Sequence, residues 1–467
     1  MVTDPGNWRD GIEERWLPLF SWVESLVGGT IVGVRRQARW RPCWFIDLRT
    51  EAGDVKSVYL RCQREEGLPW TVKISVEREH RIMQVLQNND VRIPRLLGFH
   101  PDPQAILMEV VPGRDRFDAT DSQDVRDQVL AEYVEILARA HAIDTRQFAD
   151  VGLHLPQSAE ENGWGGFAQT EAWYRGLKTV PDPVNEFIVR WIHRNVPTHR
   201  ERTSWVAWDA GQFLHEGGHC TALMDVEFSM IGDPLNDLAA MRFRDTIQPI
   251  GDLTKAFAHY AAQTGEPIDK RVLNFQCVRF SAVTSTLSLG ERLNPPPEFD
   301  FVQWEAWSLV AQFVALEVIA EELGIELDES EERPVAAASR RRPWILSADR
   351  ILSAVGEDLH DEFSQYRVRT AGELTSALLR ADEIAADLED RNRADEETLL
   401  GTRPSDWLEA DQMLEDYVLG ADPAADEKLV RFFHRRLRRE ELMLEPAMRE
   451  MIHFRVQPID WNLVPTV

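Results

Sequence analysis

The chain has 467 residues, 43% hydrophobic and 9% aromatic, which is enough to bury the cores of two or three domains and too apolar for a disordered segment. A formal net charge of -27 argues against nucleic-acid binding through phosphate contacts, because the brief basic runs such as RRLRRE are mixed with acids. Cys43, Cys62, Cys220 and Cys277 stand far apart with no CxxC, no signal pattern opens the chain and no run of about 18 apolar residues occurs, so the expected compartment is a reducing cytoplasm, with no membrane partner.

Residues 28 to 62 alternate as strands do: GGTIVGV, WFIDLRT, a Gly53-Asp54 turn and VKSVYLRC, a meander of three antiparallel strands. EREHRIMQVLQNN then sets Ile82, Val85 and Leu86 on one helical face, with Glu79 a turn earlier. VRIPRLLGF and AILMEVV return to strands, and Pro112-Gly113 closes this first unit. From Asp121 the period lengthens to that of helices, with Val129, Tyr133, Ile136, Leu137 and Ala140 on one face. Further helices are expected in LTKAFAHYAAQTG, RVLNFQCVRFSAVTSTLSLGERL and FVQWEAWSLVAQFVALEVIAEELG. The charged, Pro-containing stretch 328–343 reads as a linker. Beyond it, 344–467 is helical throughout and of a size to form a small bundle, read as a packing or dimerisation module.

Between Trp205 and Asp237 lies a polar loop ending in Gly-Gln, a strand from Phe213 to His215, a turn at Gly217 and Gly218, a strand ending on Asp225, and a Gly-Asp-Pro turn. A polar loop followed by a hairpin that presents a carboxylate is how kinase-like folds hold a metal-bound nucleotide against a hydroxyl. His215, His219 and Cys220 flank the turn, but no fourth zinc ligand accompanies them.

The stretch resembles the aminoglycoside phosphotransferase and choline kinase family, whose usual motifs are HGDxxxxN, a hairpin, IDWE and GDPxxDLA; here they are VAWDAGQFL, MDVEF and GDPLNDLA. The resemblance implies a two-lobed protein kinase-like α+β fold, with an antiparallel-sheet N-lobe (1–112), a mainly helical C-lobe (113–327), the linker and a C-terminal all-α domain (344–467). It implies ATP and Mg2+ as cofactors and transfer of the gamma-phosphate to a hydroxyl of a small molecule, with an acceptor that the sequence does not identify. Asp225 matches the metal-binding aspartate. Glu227 matches the Glu of IDWE, with structural and metal-related readings both open. Asp233 and Asp237 are expected to brace the loop and cap the next helix.

In the N-lobe, Glu79 matches the helix glutamate that pairs with a strand cation, here Arg61, where lysine is common. Met108, Glu109 and Val110 fall at the hinge along an adenine edge. No GxGxxG is present; Arg35, Arg36, Arg39 and Arg41, interleaved with Trp40 and Trp44, either meet phosphates in its place or form a solvated basic hairpin. The catalytic loop departs most. Aligned without gaps from Gln212, the family's histidine becomes Trp205, its catalytic aspartate Ala207 and its metal-binding asparagine Gln212. With a loop two residues shorter, Asp209 takes the base position beside Trp208 and Gln212 still supplies an amide oxygen to metal. The shorter loop is preferred because it keeps both polar types that the chemistry uses. The alternative is a nucleotide-binding pseudoenzyme whose helical tail serves a protein partner or a second copy.

Overall fold

The computed structural model describes residues 8–9, 12–37, 41–63, 75–296, 299–328, 330, 333–451 and 454–467. Helix α1 (Leu17–Val27) leads into β1 (Gly29–Arg36), β2 (Cys43–Thr50), β3 (Val55–Cys62), α2 (Val76–Asn88), β4 (Leu96–Pro101) and β5 (Gln104–Glu109). The five strands form one antiparallel sheet in the order β1-β2-β3-β5-β4. Strand alternation splits each central strand between two faces. Val58, Leu60 and Cys62 of β3, with Ala105 and Leu107 of β5, pack against Leu19, Phe20 and Val23 of α1, whereas Ile106 and Met108 turn to the α2 side. Arg61, between two residues that face α1, is thereby aimed at the opposite face, where α2 lies.

The rest is mainly helical: α3 (Gln123–His141), α4 (Thr145–Asp150), α5 (Ala159–Trp164), α6 (Phe167–Leu177) and α7 (Pro183–Asn195) come first. Then β6 (Ser204–Val206) pairs with β9 (Met230–Gly232), enclosing the hairpin of β7 (Phe213–Glu216) and β8 (His219–Leu223). Helices α8 (Leu235–Ile247), α9 (Leu253–Thr264), α10 (Lys270–Thr286), α11 (Leu289–Leu293) and α12 (Phe301–Leu323) complete this lobe. The polypeptide joining the lobes is pinned to the hairpin: Arg114 and His215 exchange backbone bonds at 3.1 and 3.0 Å. Gly113, at φ 123°, permits this, since a Cβ there would stand 2.7 Å from the His215 carbonyl oxygen.

Four more helices follow: α13 (Arg342–Asp358), α14 (Glu362–Leu400), α15 (Trp407–Gly420) and α16 (Asp426–Leu444). At 39 residues α14 spans about 58 Å. Helices α14, α15 and α16 pack on α7 and α12, and Leu399, Leu414, Val418, Phe433 and Leu437 join the same buried cluster as Phe187 and Phe313. Arg194 pairs with Asp426 at 2.7 Å and Lys178 with Glu415 at 2.6 Å across this contact. Among the described residues no helix is long and apolar enough to cross a membrane.

Candidate active site

Strand β3, helix α2 and the segment after β8 converge on one ionic knot. Arg61 Nε donates to Glu79 Oε2 at 2.9 Å, and its Nη2 reaches both Asp225 Oδ1 and Glu227 Oε2 at 3.1 Å. Arg61 and Glu79 are buried, which makes the pairing obligatory, because an unpaired charge at such depth would be strongly destabilising. Burial works against the Arg61 cation, yet Glu79, Glu227 and Asp225 together hold its pKa well above the ordinary value. Burial pushes the Glu227 carboxyl up, to about 7, with Asp225 adding to it and Arg61 and Arg41 pulling the other way.

Arg41 also donates to Glu227 Oε2. Glu227 is therefore committed to two guanidinium groups and 3% exposed, whereas the Asp225 side chain keeps 17% of its surface open. Of the two readings left open for Glu227, this favours the structural one. Asp225 sits two residues beyond β8 in the left-handed region, φ 55°, which turns its carboxylate out of the strand direction and into the cleft.

The loop after β6 is suspended from Asp237, which is wholly buried at the first turn of α8. Its two oxygens accept from the backbone N–H groups of Ala207 at 2.8 Å and Trp208 at 2.9 Å, and from His141 at 3.0 Å. Asp233 accepts from the Leu235 N–H at 3.0 Å and from Arg200 at 2.6 Å. Bracing and capping are thus the roles of this pair. Trp208, φ 72°, reverses the chain so that its ring packs on Phe280 at 4.6 Å and Phe228 at 5.2 Å while Asp209 lines the cleft.

Asp209 Oδ1 accepts from Arg244, and Oδ2 accepts from Gln212 Nε2 at 2.9 Å. Burial raises the Asp209 pKa, Arg244 lowers it and the Asp225 charge raises it again. Gly211, φ 100°, makes room for Arg244: a Cβ there would lie 3.0 Å from the Arg244 stem. Tyr133 fixes the same glycine by accepting its N–H at 2.7 Å.

These groups line a cleft of about 1860 Å³. Met108, Glu109 and Val110 form one edge; the Glu109 N–H is held by the Arg95 carbonyl at 3.0 Å and its carboxylate by the Arg95 side chain. The opposite wall carries Phe280, Trp304 and Trp307 from α10 and α12, and Tyr366 from α14. Tyr366 donates to Asp300 at 3.1 Å, and Arg449 joins Asp300 at 2.8 Å.

The basic hairpin is not a bare phosphate cradle. Arg41 is buried on Glu227 and Trp44 lies in the α1 core beside Phe20, while Arg35 covers Phe45 and Arg36 stands 4.0 Å over Phe363 of α14. Arg39 and Trp40 lie outside the described residues. His215 hydrogen-bonds the Arg116 carbonyl at 3.0 Å, and His219 an acid on α3, Glu132. Among the described residues no three His, Cys, Asp or Glu side chains converge to hold a metal ion.

Arg78, Arg244 and the Tyr366 wall were missed from sequence. Arg78 donates to the backbone carbonyls of Glu227 (2.8 Å) and Ser229, locking the segment behind Asp225. Arg244 had a legible signal, since Asp237 and Arg244 are seven apart and so share a face of α8. For Tyr366, more than 150 residues from the loop, no local pattern exists.

Residues 50–269 match the model of the phosphotransferase enzyme family. No curated protein matches by sequence. Among solved structures the chain is similar to a candidate aminoglycoside phosphotransferase of Ralstonia eutropha (18% identity, 65% of this chain and 97% of that one, TM-score 0.49). It is also similar to macrolide 2'-phosphotransferase MphH of Brachybacterium faecium (19%, 60% and 98%, TM-score 0.44) and to choline kinase LicA of Streptococcus pneumoniae (12%, 66% and 100%, TM-score 0.48). The part of the chain from 50 to 269 is thus similar to the phosphotransferase enzyme family, within a protein that has an antiparallel five-stranded N-terminal lobe, a mainly helical second lobe and a further C-terminal helical region.

Proposed function

We propose that the protein is an ATP- and magnesium-dependent phosphotransferase that moves the gamma-phosphate to a hydroxyl of a small molecule. The observation that carries this reading is the suspension of the loop from Asp237, which leaves Asp209 in the same cleft as Asp225, Gln212 and the Arg61–Glu79 pair. The residues suit the cofactors. Magnesium is commonly held by one or two carboxylates with nucleotide phosphates and water completing the shell, so Asp225 with the Gln212 amide oxygen is a sufficient protein share. Arg61 supplies the cation for phosphate, steadied by Glu79. Met108, Glu109 and Val110 offer a backbone edge to the base, and the aromatic wall receives the acceptor. Held by Asp225 and Gln212, magnesium would supply positive charge against the negative charge that builds up during transfer.

In this mechanism Asp209 orients the acceptor hydroxyl and accepts its proton. Trp208, Phe228 and Phe280 exclude water beside it. Asp209→Asn should lower turnover about a hundredfold or more while leaving nucleotide affinity nearly unchanged. Steady-state transfer from ATP to a panel of amino-alcohol, sugar and macrolide acceptors, with binding followed by calorimetry, tests this; undiminished turnover in the Asp209→Asn variant would remove Asp209 from the reaction. One observation favours the second reading, a nucleotide-binding pseudoenzyme. Both Asp209 oxygens already accept a hydrogen bond, one from Arg244 and one from the Gln212 amide nitrogen, so an acceptor hydroxyl would compete with these two donors for the carboxylate.

A further inference from the structure

Helix α13 is 17 residues long and buries none of them. It lies antiparallel on α14: Asp349 accepts from Thr375 at 2.9 Å, and Arg342 donates to the Leu379 carbonyl at 3.1 Å. On its other side Trp344, Ile351 and Val355 are 73%, 61% and 45% exposed, and on α14 Leu374 and Leu378 are 36% and 46% exposed. Leu374 and Leu378 each stand one position before a residue that faces α13, and along α13 the exposed stripe likewise runs one position before the inward-facing stripe. In an antiparallel pair of right-handed helices such positions turn to the same side, so both stripes lie on one surface.

The stripe along α13 runs Arg341, Trp344, Ala348, Ile351, Val355, Asp358, every member exposed, at spacings of three, four, three, four and three. This is the seam of a helix that pairs with another helix. It is also palindromic. Laid antiparallel on itself about an axis between Ala348 and Ile351, it sets Trp344 against Val355, Ala348 against Ile351, and Arg341 against Asp358. Neither Arg341 nor Asp358 has an ion partner in its own chain among the described residues. A two-fold axis satisfies both ends at once, as an isologous contact must.

We propose that this surface binds a second copy of the chain, α13 against α13, with the two α14 helices completing a four-helix bundle. The five exposed apolar side chains leave on the order of 500 Å² of apolar surface per copy, at the upper end of what monomers expose and the right size for the core of an interface burying about 800 Å² per partner. The dimer does not depend on the proposed chemistry.

Sedimentation velocity of the full chain at tens of micromolar tests the proposal, with folding followed by circular dichroism. The wild type should sediment as a dimer and Ile351→Asp as a folded monomer. Arg341→Asp and Asp358→Arg should each weaken the dimer about tenfold, because each change turns two symmetric attractions into repulsions. The double variant Arg341→Asp/Asp358→Arg should recover it, both pairs re-forming with signs reversed. A monomeric wild type overturns the proposal, including one that instead co-floats with phosphatidylcholine vesicles. So does a dimer that survives Ile351→Asp, or a double variant no tighter than the single ones.

Discussion

Asp225→Asn separates nucleotide binding from folding. The left-handed backbone at φ 55° is a region that Asn tolerates about as well as Asp, so the substitution keeps conformation and size and removes only charge. Arg61 retains Glu79 at 2.9 Å and Glu227 at 3.1 Å, so this buried guanidinium keeps its counter-charge. Removing a negative group beside Glu227 offsets part of the lost Arg61 contact. The ligand-free protein should therefore change in stability by less than about 1 kcal/mol. Ligand-linked stability should change more. With MgATP at about a hundred times its dissociation constant the wild type gains about 2.7 kcal/mol, a rise of a few degrees in Tm for a chain of this length. Without the Asp225 charge the magnesium-dependent part of that rise should vanish. Asp225→Ala should lose it too and cost about 1 kcal/mol more, since alanine is poorly suited to positive φ. The assay is scanning calorimetry with ATP alone, with ATP and magnesium, and with ATP and a chelator. A magnesium-dependent shift in Asp225→Asn equal to that of the wild type would refute the assignment of Asp225 to the metal.

Burial raises the Asp209 carboxyl above its ordinary range and Arg244 restrains that rise, so Arg244→Ala should raise it further. A base works only when ionised, so the acid limb of the pH–rate profile of ATP turnover should move to higher pH, with activity lost first at low pH; a limb that stays put would show that the ion pair does not tune Asp209. Asp237→Asn replaces one acceptor oxygen facing the loop with a donor and should cost about 3–5 kcal/mol in denaturant unfolding, the worth of a charge-assisted bond plus a buried N–H left unpaired. A cost near zero would mean that the loop is held by other contacts. We also propose that 328–343 serves as the linker between the C-lobe and the C-terminal helices. Limited proteolysis should cut between Asp328 and Arg342, yet the two pieces should elute together in size exclusion, because the tail shares the C-lobe core and the Arg194–Asp426 and Lys178–Glu415 pairs. Pieces that separate without denaturant would contradict that shared core.

Period and local chemistry made much of this protein legible before its fold was known. The alternation in VKSVYLRC determined that Arg61 opposes the α1 core, the helical spacing in EREHRIMQVLQ set Glu79 on the face that carries Ile82 and Leu86, and GDPLNDL announced a capped helix whose Asp237 reaches back to a loop. Each is a short-range property, set by backbone geometry over a few residues. What the partners of those groups would be was decided by the tertiary structure. Arg41 was legible as a basic hairpin residue, but only the approach of the post-β8 segment decided that it would be buried on Glu227 instead of standing free for phosphate. The register of VAWDAGQFL was ambiguous in one dimension. Its placement in space follows from which N–H groups meet the Asp237 carboxylate, because a buried carboxylate accepts only from donors that the fold carries to it. The wall that Tyr366 adds to the cleft could not have been read at all, since it depends on where a 39-residue helix is docked by buried apolar side chains, and no spacing along the chain records that distance.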